Sequence, residues 1–218
     1  MVALVTEQLA CMLKCVLHPD TESLGVFPAD RFPLRVDDSN MLWIVDIYVD
    51  GKPSFGTKMS LDQNYAFIVN TDRHDQPGQH WLAFMYNASL DAIDFFDSFG
   101  MQLDLYANVY ASLMRNNILK RVTVANKFDL QNVTSFVCGQ YALSFLAWRS
   151  KHLRVDSRLF SFDIRSRFSS PSQRDVYIVQ HVDHLTTSAH CKQNAGRCSL
   201  GAHGSQTCVC FVQHSKPI

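Results

Sequence analysis

Four residues of the types used in thiol-dependent hydrolysis follow one another along the chain: His80, Asp97, Gln131 and Cys138. A cysteine hydrolase needs a thiolate nucleophile, a base that takes the thiol proton, and a group that orients the base. A lone histidine near a strand start is more often structural, and a lone cysteine is most often a small buried hydrophobe. The elements that carry these residues therefore decide whether they can meet.

The histidine and the acidic residue lie on two segments that predict a hairpin. Residues 80–87 and 92–100 read as strands joined by a short turn, with His80 starting the first and Asp97 near the end of the second. Asp94 and Asp97 should point to opposite faces of their strand, so only one can meet the imidazole. We expect Asp97, because it lies at the strand end opposite His80.

The cysteine opens an apolar segment, CGQYALSFLAWRSK, that predicts a largely buried helix. The positive end of the helix dipole and a nearby imidazolium would both favour the thiolate of Cys138. Gly139 leaves backbone room, so that the Cys138 N–H could face a developing oxyanion. Gln131, seven residues earlier, either offers its side-chain amide as a second oxyanion donor or is an ordinary loop glutamine.

The remaining segments interleave helical and strand patterns. An N-terminal helix is predicted from Thr6, a second over residues 103–119, and strands over residues 42–49, 65–70 and 120–126. We expect an α+β fold with a mixed central sheet flanked by helices and the nucleophile at the N-terminus of a central helix. Residues 1–186 are predicted to form a single domain, followed by a tail at 187–218 rich in Cys, His, Ser and Gly.

Composition and charge do not favour a dedicated nucleic-acid binder or a membrane-spanning protein. Twenty basic and twenty acidic residues cancel, and a pI near 7.1 lacks the basic bias of a dedicated nucleic-acid binder. The N-terminus has no basic stretch ahead of its apolar residues, and no apolar run approaches the ~20 residues that span a bilayer. We expect a chain that is not secreted and does not enter a membrane, with its seven cysteines mostly reduced.

The tail offers weak candidates for a zinc site. Tetrahedral zinc usually takes cysteine pairs spaced two to four apart, whereas only Cys208 and Cys210 are close, with one residue between them. We therefore expect no metal site. The candidate ligands are Cys191, Cys198, Cys208, Cys210, His190 and His203. Cys11 and Cys15, one helical turn apart in the N-terminal helix, are interpreted as packing residues.

The chain resembles the adenain family, the cysteine proteases of adenoviruses and of related DNA viruses or virus-like transposons. The likeness lies in FIVNTDRHDQPGQHWLAFMYNASLDAIDFFDSFG at residues 67–100 and LQNVTSFVCGQYALSFL at 130–146, with a fainter match in LGVFPADRFP at 24–33. It covers roughly residues 22–150. The resemblance implies the cysteine protease fold shared by adenain and the ubiquitin-like-modifier proteases.

Carried over position by position, the resemblance implies His80 as general base, Asp97 as its partner, Gln131 as oxyanion donor and Cys138 as nucleophile. It implies a viral endopeptidase that cleaves virion or capsid precursor proteins during particle maturation, in the host nucleus and the virion, with a preference for Gly beside the cut. We expect a monomer.

The resemblance also implies two cofactors, an activating viral peptide and DNA. In adenoviruses the peptide forms a disulfide with a cysteine between the acidic residue and the nucleophile, but this chain has no cysteine from 16 to 137. The neutral pI does not favour DNA as a partner. The sequence itself therefore indicates no required cofactor.

Two other function classes stay open at this point. Proteases that process SUMO and other ubiquitin-like modifiers share the wider fold and the order His, acid, Gln, Cys. The Asp that often precedes their cysteine is replaced here by Val137. A third class is non-enzymatic, a capsid-associated or zinc-binding module that retains the fold without activity.

Overall fold

The computed structural model describes residues 3–49, 52–60 and 62–187, with only the backbone described at 46–49 and 52–55. Seven strands follow the first helix, and the last three helices end the described chain. The strands are β1 (Thr21–Phe27), β2 (Leu34–Val36), β3 (Leu42–Val49), β4 (Lys52–Lys58), β5 (Asn64–Asn70), β6 (Trp81–Asn87), β7 (Ala92–Phe96) and β8 (Val122–Val124). The helices are α1 (Thr6–Val16), α2 (Ala107–Arg115), α3 (Cys138–Lys151), α4 (Leu159–Arg167) and α5 (Pro171–Thr187).

The central sheet has the strand order β1-β5-β6-β7-β8. Strands β5, β6 and β7 are antiparallel, whereas β1 and β8 run parallel to their neighbours at the two edges, so the sheet is mixed. A smaller antiparallel sheet has the order β2-β3-β4. The mixed sheet and its flanking helices confirm the predicted α+β fold class.

Alternate side chains of the central strands enter two separate cores. Ala66 and Ile68 of β5 pack in the core that α1, α3 and α5 cover, whereas Phe67 and Val69 pack on the opposite face with α2 and β2. Burying one such side chain contributes roughly 1.5–3 kcal/mol. A register slip of one residue would exchange both sets, so the cores fix the register of the strands that carry the site.

Helix α3 crosses the sheet almost entirely buried. Its Phe145 ring stacks on Phe96 of β7 with 4.5 Å between centroids. One turn later Arg149 donates from Nε to the Asp94 carboxylate at 2.6 Å and from Nη1 to the Val155 carbonyl at 3.0 Å. Aromatic packing and a buried ion pair therefore fix the helix that begins at the cysteine against the strand that precedes the acidic residue.

Several predicted elements differ in their ends. The strand predicted over 92–100 stops at Phe96, because the chain turns at 97–100 with Gly100 in the left-handed region at φ 66°. The helix predicted over 103–119 is divided into a 3₁₀ turn, Leu103–Leu105, and α2. The sequence did not predict the elements β1, β2, β4, α4 and α5.

The interpretation of Cys11 and Cys15 as reduced packing residues is wrong. Cys11 and Cys15 of α1 are disulfide-bonded, not reduced. The interpretation depended on their helical spacing, which does not reveal whether a sulfur atom is bonded. The zinc candidates of the tail lie outside the described residues, and the single domain over residues 1–186 stays a prediction.

Candidate active site

His80 lies at the start of β6 with its ring buried between aromatic side chains. The residue is 8% exposed, and its ring stacks on Phe99 at 4.9 Å and on Tyr106 at 5.9 Å between centroids. Its Nε2 lies 2.6 Å from Oδ1 of Asp97. The stacked rings and this short hydrogen bond fix the orientation of the imidazole.

Asp97 is fully buried and uses both carboxylate oxygens. In addition to the His80 ring, Oδ1 accepts the Phe99 N–H at 3.1 Å. Oδ2 accepts the Met101 N–H at 2.8 Å and the Tyr106 hydroxyl at 2.9 Å. Four donors therefore surround the carboxylate, which compensates the cost of burying its charge and prevents its rotation.

The turn 97–100 that carries Asp97 packs against the loop after β8. Asn126 donates from Nδ2 to the Asp97 carbonyl at 2.6 Å and to the Phe128 carbonyl at 2.8 Å. A Cβ on Gly100 would lie 2.5 Å from the Phe128 backbone, so only glycine permits this approach. The acidic residue thus lies on a turn whose backbone is fixed by Asn126 and by close packing against Phe128.

Cys138 is the first residue of α3, a free thiol that is 9% exposed. Hydrogen bonding to Cys138 and the charge of its sulfur both contribute to the raised pKa of the His80 ring. Since Asp97 occupies Nε2, the nitrogen that remains for the thiol is Nδ1. Hydrogen bonding within the helix starts with the Tyr141 N–H donating to the Val137 carbonyl, so the Cys138 N–H lies at the positive end of α3 without an intrahelical acceptor.

The electrostatics of the pair favour a charged imidazole. Burial alone lowers the pKa of His80, but hydrogen bonds and charge attraction from Asp97 and Cys138 outweigh it and raise the pKa from 6.5 to about 9. Burial and the negative charge of Asp97 raise the pKa of Tyr106 above its usual range. Tyr106 therefore stays protonated at neutral pH and donates to Asp97.

Gln131 is buried and its side-chain amide is oriented by two serines. Its Oε1 accepts the Ser98 hydroxyl at 2.7 Å, and its Nε2 donates to the Ser135 carbonyl at 2.9 Å. The Gln131 backbone N–H also donates to the Ser98 carbonyl at 3.1 Å. Because a primary amide carries two N–H donors, one remains after the bond to Ser135.

In the structure His80 hydrogen-bonds Asp97 directly and interacts with Cys138. Gln131 is linked to this group through Ser98, which directly follows Asp97 in the chain. Asp94 points to the other side of the strand and pairs with Arg149.

Sequence reasoning missed three residues that hold the group together. Ser98 directly follows Asp97 in the sequence DSFG at residues 97–100, and this position beside the acidic residue could have indicated its role. Tyr106 and Asn126 lie at no informative spacing. No cluster of three or more His, Cys, Asp or Glu side chains suited to a metal ion occurs in the described part of the chain, and none of its helices is both long and apolar enough to cross a membrane.

Comparisons with known proteins identify a family and a similar fold. The family model of the adenovirus endoprotease matches residues 47–159, just over half of the chain. The fold is similar to ChlaDub1 from Chlamydia trachomatis, at 14% identity over 88% of this chain and 94% of that one, with a TM-score of 0.51. A second structure, of the Chlamydia trachomatis effector protein ChlaDUB1, gives 15% identity, coverage of 87% and 85%, and a TM-score of 0.50.

The ASFV pS273R protease matches 52% of this chain and 42% of its own at 21% identity, with a TM-score of 0.32 that is too low for an argument about fold. No curated protein sequence matches the chain. The family match covers the histidine, the acidic residue, the glutamine and the cysteine, all within residues 47–159. The chain therefore belongs to the adenovirus endoprotease family and is a cysteine peptidase.

Proposed function

We propose that the chain is an endopeptidase in which Cys138 is the nucleophile, His80 the general base and acid, and Asp97 the group that orients His80. The observation that carries the proposal is the His80 ring, which forms a buried 2.6 Å hydrogen bond with Asp97 and interacts with the Cys138 thiol. Nucleophile, base and orienting group are thus connected in the order that acyl transfer requires.

The reaction begins with the proton of the Cys138 thiol on Nδ1 of His80. With its pKa raised to about 9, the ring holds that proton at neutral pH. The thiolate attacks the scissile carbonyl carbon, and the carbonyl oxygen becomes an oxyanion. The Cys138 N–H and the second N–H of the Gln131 amide donate to this oxygen.

Collapse of the tetrahedral intermediate breaks the C–N bond, and Nδ1 of His80 gives its proton to the leaving amine. The product is an acyl-enzyme with a thioester at Cys138. Water then loses a proton to the same nitrogen as it attacks the thioester, and the second collapse releases the acid and restores the thiol. Throughout, Asp97 holds Nε2–H, so that Nδ1 keeps facing the sulfur.

For the substrate, we propose virion or capsid precursor proteins with small residues, especially Gly, beside the cut. The family membership supports this class. A second candidate is an isopeptidase that removes ubiquitin-like modifiers, which the similarity of the fold to ChlaDUB1 over 88% of this chain favours. The two differ in the acyl side of the substrate, a flexible Gly-containing segment in the first and a folded modifier with a diglycine tail in the second.

The test is mass spectrometry after treatment with a Gly-rich peptide that carries a thiol-directed electrophile. Wild type, Cys138→Ala and His80→Ala are compared, with His74→Ala as the matched control. His74 is exposed, and its ring hydrogen-bonds Asp30 and not Asp97. We expect rapid labelling confined to Cys138, slow labelling after loss of His80, and no change for His74→Ala.

Labelling at other cysteines that is indifferent to the loss of Cys138 or His80 would contradict the proposed triad. The same assay with an electrophile on a folded ubiquitin-like modifier distinguishes the two substrate classes. Repeating it with a viral peptide and with DNA tests whether either is an activator, as the family resemblance implies.

A further inference from the structure

The loop that carries Gln131 is held by a helix far along the chain and outside the family match. Arg174, near the start of α5, is buried and directs its guanidinium at backbone carbonyls. Its Nε donates to the Leu130 carbonyl at 2.9 Å and its Nη2 to the Asp129 carbonyl at 3.2 Å. Its Nη1 donates to the Phe168 carbonyl at 3.2 Å. The rigid guanidinium thus fixes the chain just before Gln131.

The next residue holds the chain just after Gln131. Asp175 is fully buried, and its two carboxylate oxygens both accept the Asn132 N–H at 3.3 Å. The Tyr141 hydroxyl lies 3.1 Å from Oδ1 of Asp175 and 3.1 Å from the Leu130 carbonyl, so its single proton can serve either acceptor. Tyr141 belongs to the first turn of α3, three residues after Cys138.

The two anchors act on the peptide groups on either side of one residue. We propose that Arg174 and Asp175 are positioning residues that aim the Gln131 amide at the oxyanion, an inference that rests on the oxyanion role proposed for Gln131. The Leu130 carbonyl and the Asn132 N–H define the backbone from which the Gln131 side chain projects. Ser98 then fixes its Oε1, and the direction of the remaining N–H follows.

Oxyanion stabilisation can be measured separately from thiolate reactivity. Iodoacetamide is attacked by the Cys138 sulfur with formation of an S–C bond and departure of iodide, and no tetrahedral oxyanion forms. Hydrolysis of a small acyl ester, such as the p-nitrophenyl ester of acetylglycine, passes through tetrahedral intermediates and needs the oxyanion donors. A residue that acts through Gln131 should affect the second reaction and not the first.

The experiment compares Asp175→Ala, Asp175→Asn and Arg174→Gln with wild type, and uses Asp183→Ala as the matched control. Asp183 is an exposed residue two turns further along α5. Because loss of an oxyanion donor itself costs about 10²–10³ in kcat, we expect partial misalignment to lower kcat for the ester by about tenfold or more. KM and the iodoacetamide rate should stay within about twofold of wild type, and Arg174→Lys should recover part of the loss only if it reaches one of the carbonyls.

A double-mutant cycle shows whether Asp175 acts through Gln131. If it does, Gln131→Ala combined with Asp175→Ala should be no slower than Gln131→Ala alone. Effects that multiply would overturn the proposal, as would unchanged kcat in Asp175→Ala or a parallel fall in ester hydrolysis and alkylation. If Asp175→Ala does not fold, Asp175→Asn, which keeps the shape and one acceptor oxygen, gives the same comparison.

Failure of the broader proposal gives a different pattern. Ester hydrolysis that survives Cys138→Ala would refute the nucleophile. Hydrolysis unaffected by Gln131→Ala would remove the oxyanion role and with it the positioning role. If Gln131→Ala slows ester hydrolysis and the Arg174 and Asp175 variants do not, the oxyanion role of Gln131 stands and only the positioning role of Arg174 and Asp175 is refuted.

Discussion

Replacing Asp97 with Asn keeps the shape of the side chain and removes its charge, and the hydrogen bonds around it determine the result. The carboxylate accepts from four donors, two at each oxygen. An amide has only one acceptor oxygen. If that oxygen faces His80, the NH2 group meets the Met101 N–H. If it faces Met101 and Tyr106, the NH2 group meets Nε2 of His80 and forces the proton onto Nδ1, where it blocks transfer from the thiol.

The magnitude follows from the electrostatics of the ring. The rise in the pKa of His80 from 6.5 to about 9 corresponds to about 3 kcal/mol in favour of the imidazolium. Asp97 and the Cys138 thiolate supply that stabilisation against the opposing effect of burial. Asp97→Asn removes the Asp97 contribution and leaves that of the thiolate, so we expect kcat/KM to fall by about tenfold to a hundredfold, since each 1.36 kcal/mol is a factor of ten in rate. The pKa of His80 should fall well below 9 at the same time.

The assay combines ester hydrolysis with an NMR titration of the His80 ring in wild type and Asp97→Asn. The matched control is Asp94→Asn, three residues earlier on the same strand, where the lost charge faces Arg149 and not the imidazole. Asp94→Asn should lower stability and leave both the kcat/KM of the folded fraction and the pKa of His80 close to wild type. Retention of kcat/KM within about threefold in Asp97→Asn, or a larger loss in Asp94→Asn, would refute the reasoning.

Three other predictions concern the scaffold. Arg149→Met should destabilise the fold by about 3–5 kcal/mol in urea denaturation, because it leaves the buried Asp94 without its ion partner; a loss below 1 kcal/mol would contradict a buried pair. Because the pKa of His80 is higher in the folded protein, its protonation stabilises the fold, fully below pH 6.5 and progressively less as pH rises through about 9. The difference in unfolding free energy between wild type and His80→Gln should therefore shrink over that range. Gly100→Ala should lower both the melting temperature and kcat, because the added Cβ would lie 2.5 Å from the Phe128 backbone and displace the turn of Asp97; an unchanged kcat would show that the turn tolerates the shift.

Local patterns were sufficient for the elements that carry the chemistry and not for those that complete the site. The β6 and β7 strands and α3 are predictable because each is a continuous apolar run. Strand parity allowed only one of Asp94 and Asp97 to meet the imidazole, and the position of Asp97 at the strand end opposite His80 favoured it. β1 starts with three polar residues and contains Gly25 in a left-handed conformation, so its propensity signal is weak. The strand forms because it pairs with β5, a non-local contact that its own sequence does not reveal.

The supports of Gln131 were beyond any local pattern. Its flanking peptide groups bond to side chains 43 to 45 residues later, on a helix whose polar sequence PSQRDVYIVQHVDHLTT gave no strong periodicity. Likewise, Asn126 reaches the Asp97 carbonyl across 29 residues. Contacts of this kind depend on how the finished elements pack, which one sequence does not reveal.

The contacts between α5 and the glutamine loop have a consequence for the time at which activity can appear. The chain is synthesised from its N-terminus. The segments that carry His80, Asp97 and Cys138 are therefore made, and can begin to fold, before the helix that begins at Pro171. Until that helix docks, the Asn132 N–H and the Leu130 carbonyl lack their α5 partners. A ribosome-bound chain would then hold an assembled nucleophile beside an unfixed oxyanion loop, and full hydrolytic competence would arrive only with the last described helix.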